Sequence, residues 1–392
     1  YHDTTFYLIC SNIKDFKFIN EIFGMEKGNQ VLLKQAKLMS SNPSERTICA
    51  RLMNDRFALC LPREEFTENR VADSVKELQR EFTGNSFNLH MYMGVYEIRD
   101  RDEAVSIMVD KANIAADTIK NNYDCCVAYY DEHLLEISIE QRRLLGEFEP
   151  ALQKDEFVMY LQPQVNRDGV ARGAEALVRW AHPSRGILTP YAFIDILENA
   201  GLIYKLDLYI WEKAAQKLAE WKEKGYGSYH ISVNISTKDF YIIDIYDTFT
   251  GLINKYGIAA SNLHLEITEK TLMTDFEKNM NIIHKLQNVG FRVEIDDFGS
   301  GYSSLNMLKD ISADVLKIDM GFLRKSENEV KGQDILESII TLAGKIGMDV
   351  ITEGVETKKQ LDMLTMMGCH EFQGYYFSKP VPVSEFEEKY LV

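Results

Sequence analysis

The chain has 392 residues, 45% hydrophobic and 27% charged, with a formal net charge of -16 and a pI near 5.1. That length is too great for one ordinary core and suits two domains, and the acidity argues against coating a nucleic-acid polymer by phosphate neutralisation. No run of about 20 apolar residues and no basic-then-apolar leader occurs, so neither membrane contact nor secretion is expected of this stretch and a cytoplasmic location is.

In chain order, FYLICSNI reads as a short apolar strand, and EKGNQVLLKQAKLM has the i, i+3, i+4 spacing of an amphipathic helix. RTICARLMNDRFALCLP reads as two strands around a polar turn, because MND interrupts two apolar runs with residues that tolerate turn geometry. A helix near VADSVKELQREF, a strand near FNLHMYMGVYEI, a helix across AVSIMVDKANIAADTIK and a strand near CCVAYYD complete a compact α+β sheet domain over residues 1–131. Residues 132–152 carry apolar positions at helical spacing and are expected to form a connecting helix, stiff because no Gly/Ser- or Pro-rich linker interrupts it. The remainder alternates strands (FVMYLQPQV, GAEALVRW, YHISVNIS, LHLEITE, FRVEIDDFG, VLKID, DVITEGV, EFQGYYFS) with amphipathic helices, the pattern of an α/β TIM-type (β/α)8 barrel. The six cysteines, Cys10, Cys49, Cys60, Cys125, Cys126 and Cys369, form no C-x-x-C pair and are expected to be buried, reduced thiols.

Charged residues are costly in strands buried on both faces unless they are paired or bind a metal. Here strand after strand ends in polar groups: Glu175, Asn234, Glu266, Asp296 with Asp297, Lys317 with Asp319, Glu353 and Gln373. A lone carboxylate at such a place usually faces solvent or caps the next helix. That account must hold independently at every strand end, and barrel strands deliver their C-terminal ends to one face. Carboxylates gathered there repel by roughly 4 kcal/mol per pair at about 4 Å and an effective dielectric of 20, which divalent cations would relieve. An all-oxygen donor set selects hard ions, Mg²⁺ or Mn²⁺. The adjacent Asp296 and Asp297 suit two ions, and a two-metal site points to displacement at phosphorus. An acidic chain can bind a phosphate ester where metals supply the positive charge.

These residues stand in motifs that resemble the EAL family of cyclic di-GMP phosphodiesterases over about residues 138–392: LQPQV, EALVRW, SVNIS, EITE, DDFGSGYSSL, LKID, TEGVE and QGYYFSKP, in that order. The resemblance implies hydrolysis of cyclic di-GMP to linear pGpG with two divalent cations, Mg²⁺ or Mn²⁺, in a homodimer formed through this domain. It implies that Glu175, Asn234, Glu266 and Asp296 hold one metal, Asp296 and Asp297 the other, with Glu353 at the centre and Lys317 orienting the attacking water. It further implies that Arg179 contacts the substrate phosphate, that Gln162, Leu177, Asp319 and Gln373 lie near the nucleotide, and that Glu269 holds a loop, containing Gly299 and Gly301, that couples dimer contacts to metal binding.

The first half resembles a GGDEF domain in degenerate form. Met53-Asn54-Asp55-Arg56-Phe57 stands at the signature, Asn12 at a metal-binding aspartate and Asn29 at a guanine-reading aspartate, while Asn20 is kept. Ser44 and Thr47 occupy the R-x-x-D inhibitory site, and the usual opening helix is missing, so a fragment of a longer protein, with a sensory part upstream and a membrane anchor open for it, is expected. Cyclase activity is not expected. Arg56 holding GTP or another nucleotide without metal, and a purely structural or signal-transmitting domain, are both open. Two rivals to the phosphodiesterase reading are a catalytically silent cyclic di-GMP receptor, and a barrel lyase in which Lys317 abstracts a proton next to a carboxylate.

Overall fold

The computed structural model describes residues 4–41, 44–82, 89–122, 124–298, 311–319 and 329–391. Two compact units divide at Arg143 and Leu144, inside the helix α5 named below.

The first unit holds β1 (Phe6–Ile13), α1 (Phe16–Phe23), α2 (Met25–Ser40), β2 (Ile48–Met53), β3 (Arg56–Pro62), α3 (Glu68–Gln79), β4 (Met91–Ile98), α4 (Val105–Thr118) and β5 (Val127–Tyr129). Its sheet has the order β2-β3-β1-β4-β5, with β1 antiparallel to β3 and β4 and β4 parallel to β5. The period of two in β1 and β4 sorts the core. Tyr7, Ile9, Ile13, Met91, Met93 and Val95 pack with Ile19, Val31, Val71 and Leu78 from α1, α2 and α3, whereas Leu8, Cys10 and Tyr96 pack with Met108 and Ala112 from α4. Gly94 lets α4 approach the sheet, since a Cβ there would lie 1.8 Å from the Ala112 carbonyl oxygen. Helix α1 is missed by sequence reasoning: it has eight residues and follows Asp15, whose φ is 56° and whose side chain makes no N-cap bond.

Helix α5 (Glu132–Gln153) leads into the second unit, which contains β6 (Phe157–Asn166), β7 (Ala171–His182), β8 (Gly186–Leu188), α6 (Ile194–Ala200), α7 (Ile203–Glu223), β9 (His230–Ile235), α8 (Asp239–Ile242), α9 (Ile245–Tyr256), β10 (Leu263–Thr268), α10 (Glu269–Thr274) and α11 (Phe276–Val289). There follow β11 (Val293–Phe298), β12 (Val315–Asp319), α12 (Glu329–Lys345), β13 (Asp349–Glu353), α13 (Lys358–Met366), β14 (Glu371–Phe372), β15 (Val381–Pro382) and α14 (Val383–Tyr390). Strands β6, β14, β13, β12, β11, β10, β9 and β7 follow one another around the sheet, and the β6–β7 pairing closes it into an eight-stranded barrel. None of the described helices is long and apolar enough to cross a membrane.

Two features depart from the regular barrel expected from sequence. Strand β6 runs antiparallel to both neighbours, because only a tight turn joins it to β7, with no room for a crossover helix. The Asn166 side chain accepts from the backbone N–H groups of Asp168 (2.9 Å) and Val170 (3.0 Å), and Gly169 has φ +82°. The strand expected across EFQGYYFS pairs only at Glu371 and Phe372. At Gly374 the backbone presses on Val355, where a Cβ would lie 2.3 Å from its nitrogen, and the chain turns, with the amides of Phe377 and Ser378 donating to the Gly374 carbonyl.

Candidate active site

Alternation along the barrel strands sends every second side chain into the lumen. At one level these are Gln162 (β6), Glu175 (β7), Asn234 (β9), Glu266 (β10), Asp296 (β11), Lys317 (β12), Glu353 (β13) and Gln373 beyond β14. The cluster is centred on Lys317, which is fully buried. Its Nζ lies 2.7 Å from Glu353 Oε1, 2.9 Å from Glu266 Oε2, 3.2 Å from Asp296 Oδ1 and 3.3 Å from Glu175 Oε2. Glu175 also accepts from Asn234 Nδ2 at 3.1 Å and Gln373 Nε2 at 2.5 Å. Gln373 Nε2 reaches Gln162 Oε1 at 3.3 Å. Residues from six strands and the segment after β14, spread from position 162 to 373, thus meet around one ammonium.

An ammonium donates three hydrogen bonds, and here it faces four carboxylates. Both oxygens of Glu266, Asp296 Oδ1 and Glu353 Oε1 receive no aligned hydrogen bond among the described residues. Burial, then the Glu175 carboxylate, pushes Glu266 well above the usual carboxylate range. Burial, with Asp296 and Glu175 adding to it, lifts Glu353 to about 8 against the pull of Lys317. Burial works against the charged form of Glu175 too, but the ammonium and the donors Gln373 and Asn234 outweigh it and hold this group below the usual range. The four carboxylates keep Lys317 charged, well above an ordinary lysine, although burial opposes this.

Four carboxylates sharing one ammonium in an all-oxygen set, with Glu266 Oε1 left without a partner among the described residues, are what divalent hard cations fit. This has a pH signature. The Glu353 carboxyl at about 8 lies above its ordinary 4.5, so between those values the metal-free folded state holds a proton that the unfolded state has lost, and stability falls as pH rises. Burial lowers His230, elsewhere in the lumen, from 6.5 to about 3, which has the opposite slope but ends by pH 6.5. Urea midpoints in EDTA are therefore expected to fall between pH 6.5 and 8, and saturating Mn²⁺ to flatten that slope by ionising the carboxylates. A metal-free midpoint that rises over this window would contradict the assignment.

The other expected site residues fall as follows. Leu177 and Arg179 continue the lumen-facing alternation of β7 beyond Glu175, both half-buried. The Arg179 guanidinium donates to the Val178 carbonyl at 2.8 Å and lies 5.4 Å from the Tyr160 ring centroid. Asp319 ends β12 opposite Glu353. Glu269 opens α10, where Thr268 caps the helix by accepting from the Thr271 amide. Gly299, Gly301 and the Asp297 side chain lie outside the described residues. Sequence reasoning missed a second polar level of the lumen: Gln164, Ser232, His264 and Glu294 are buried there, and His230 is half-buried. Its signal was present, since 232, 264 and 294 each lie two residues before an expected ligand and so share its face.

In the first unit, Asn54 and Asp55 form the turn between β2 and β3, Asn54 with φ 52°, a left-handed conformation that Asn tolerates better than most residues. Asp55 Oδ2 accepts from the Ile13 amide at 3.1 Å. Asn12 Nδ2 donates to the Tyr92 hydroxyl at 2.9 Å while its oxygen accepts from the Ile13 amide at 3.0 Å. Met53 and Arg56 flank the turn exposed, and Phe57 is buried.

Residues 146–380 match the EAL domain and residues 1–124 the diguanylate cyclase, GGDEF domain. The chain is 29% identical over 395 residues to the bifunctional diguanylate cyclase/cyclic di-GMP phosphodiesterase MucR of Pseudomonas aeruginosa, covering 98% of this chain and 57% of that protein. It is 29% identical over 383 residues to the cyclic di-GMP phosphodiesterase NbdA of the same species, covering 96% and 49%. The chain thus spans about half the length of these relatives. A solved structure of the MucR phosphodiesterase in complex with c-di-GMP superposes with a TM-score of 0.59 at 33% identity, covering 62% of this chain and 99% of that one.

Proposed function

The chain belongs to the EAL domain family, with a GGDEF domain ahead of the barrel, and we propose that it hydrolyses cyclic di-GMP to linear pGpG at the barrel mouth. The observation that carries this reading is the set of four carboxylates that share the single Lys317 ammonium, with Glu266 Oε1 left without a partner among the described residues, beside an arginine on the same face of β7.

In this reading Glu175, Asn234, Glu266 and Asp296 hold one divalent cation and Asp296 with Asp297 a second, Mg²⁺ or Mn²⁺, with Glu353 beside them. When bound, such ions polarise a phosphoryl oxygen and lower the pKa of water. Arg179 pairs with the phosphate, for which a planar guanidinium is suited. Gln162, Leu177, Asp319 and Gln373 line the nucleotide. Lys317 donates a hydrogen bond to the attacking water, and Glu353, whose Oε1 lies 2.7 Å from the Lys317 Nζ, is within reach of the proton that leaves. Water oxygen bonds to phosphorus, the bond from phosphorus to O3′ breaks, and O3′ takes a proton, so the product carries a 5′ phosphate and a free 3′ hydroxyl. Incubation with cyclic di-GMP and Mg²⁺ or Mn²⁺, followed by chromatography, is expected to yield pGpG. Tight binding with no turnover would replace this reading by that of a silent receptor.

The GGDEF domain is proposed to be non-catalytic, in a regulatory or structural role, because Arg56 stands in the signature and Asn12 is engaged by Tyr92 and Ile13. Arg56→Glu is expected to leave pGpG production within about twofold, as surface changes away from a site do, and to yield no cyclic di-GMP from GTP and Mg²⁺. Measurable synthesis by that variant would show the domain to be one residue from activity.

A further inference from the structure

Below the Lys317 cluster, Glu294 of β11 reaches the two strands that follow it around the sheet, β10 and β9. Its Oε1 accepts from Ser232 Oγ of β9 at 3.1 Å and lies 2.6 Å from His264 Nδ1 of β10. His264 Nε2 is 3.2 Å from the Ser261 carbonyl oxygen, and His230 Nε2 is 2.7 Å from Gln164 Oε1 of β6. Glu294 and Ser232 are fully buried and His264 is 4% exposed. The His230 ring fills the space that a Cβ on Gly173 would occupy, 2.3 Å from its Nε2.

One donor atom from each of His230, His264 and Glu294 falls within 4.8 Å of the others, which raises the question of another metal. The rings answer it: they are stacked, with centroids 3.8 Å apart and planes 6° from parallel. A metal on an imidazole nitrogen lies near the ring plane, so one ion cannot serve two stacked parallel rings. The group is a hydrogen-bonded tie between strands.

Its place along those strands gives the tie a use. Ser232, His264 and Glu294 precede Asn234, Glu266 and Asp296 by two residues each. Backbone pairing sets Glu266 opposite both Asn234 and Glu294. On its other side β11 is not held evenly, because its register against β12 shifts between Ile295 and Phe298, the stretch that contains Asp296. We propose that Ser232, His264 and Glu294 are positioning residues that hold β9, β10 and β11 at the spacing that brings Asn234, Glu266 and Asp296 onto one cation. This rests on the reading of those three as metal ligands.

The test separates metal affinity from stability. Replacing a buried polar group by well-packed apolar residues is often neutral or stabilising, so the triple variant Ser232→Ala/His264→Leu/Glu294→Leu is expected to keep its melting temperature while its Mn²⁺ affinity, measured by calorimetry without substrate, falls about tenfold, the low end of effects seen when groups behind metal ligands are removed. Glu294→Gln, which keeps side-chain length and an acceptor oxygen, is expected to stay within about threefold of the wild type. Wild-type affinity in the folded triple variant would overturn the proposal, as would Glu294→Gln binding as weakly as the triple variant, since charge rather than position would then be the cause. Should the triple variant not fold, Ser232→Ala decides: loss of one tie is expected to weaken Mn²⁺ binding about threefold, and no change overturns the proposal. If wild-type protein binds no Mn²⁺ at all, it is the metal-centre reading that has failed.

Discussion

Glu175→Ala is expected to abolish pGpG production, by about 10³-fold or more, and to remove high-affinity Mn²⁺ binding. Glu175 is the group on which the cluster's hydrogen bonds converge, accepting from Asn234, Gln373 and Lys317. Removing it deletes a ligand and frees two amides to turn away, so the remaining oxygens lose their arrangement as well as their number. Loss of a single preorganised stabilising group already costs about 10² to 10³ in kcat, and a lost ligand affects every charge that the metal would stabilise. Asn234 is exposed and can turn to water, Gln373 keeps Gln162 Oε1 as an acceptor at 3.3 Å, and carboxylate repulsion is relieved, so the variant is expected to fold. Chromatography for pGpG and calorimetry with Mn²⁺ check this. Retention of a tenth of wild-type turnover would remove Glu175 from the metal assignment.

Lys317→Met is expected to have the second largest effect, and one that depends on metal. Without metal, the fully buried lysine is the cation that four carboxylates face, Glu175 and Glu266 buried and Asp296 and Glu353 half-buried. Breaking a buried ion pair from one side costs about 3 to 5 kcal/mol, because the partner charges remain. The metal-free variant is therefore expected to unfold at a markedly lower temperature, more so at pH 8 than at pH 6.5, because more carboxylates must then be held ionised or protonated at a cost. Divalent cations replace the missing charge, so saturating Mn²⁺ is expected to raise the variant's melting temperature more than the wild type's. Turnover is expected to stay low even with metal, since the water then lacks its donor. Equal metal-free melting temperatures for variant and wild type would show that the carboxylates do not depend on the lysine.

Much of the site was legible as pattern. Glu175, Asn234, Glu266, Asp296, Lys317 and Glu353 stand out because charge is costly in a two-sided buried strand, and a strand ending in charge again and again implies a shared destination. The antiparallel β6 was harder to read, because FVMYLQPQV has the same apolar run in either direction and its sense is set by the turn at Asn166 to Val170. The lower level of the lumen was missed for a different reason. His264 and Glu294 look like ordinary polar residues in alternating strands until the barrel is closed, and only then does alternation put them behind the proposed ligands rather than in solvent. Helix α1 escaped because eight residues without a capping side chain leave too little periodicity to register.

Local and near-neighbour chemistry in the chain specifies the strands, their alternation and the identity of the oxygen donors, because strand period and the cost of buried charge are properties of short segments. Barrel closure then sets what those donors do. Four carboxylates from strands spread over nearly 180 residues, from Glu175 to Glu353, meet and share one ammonium. That balance of charge depends on distances across the lumen, which no local pattern encodes.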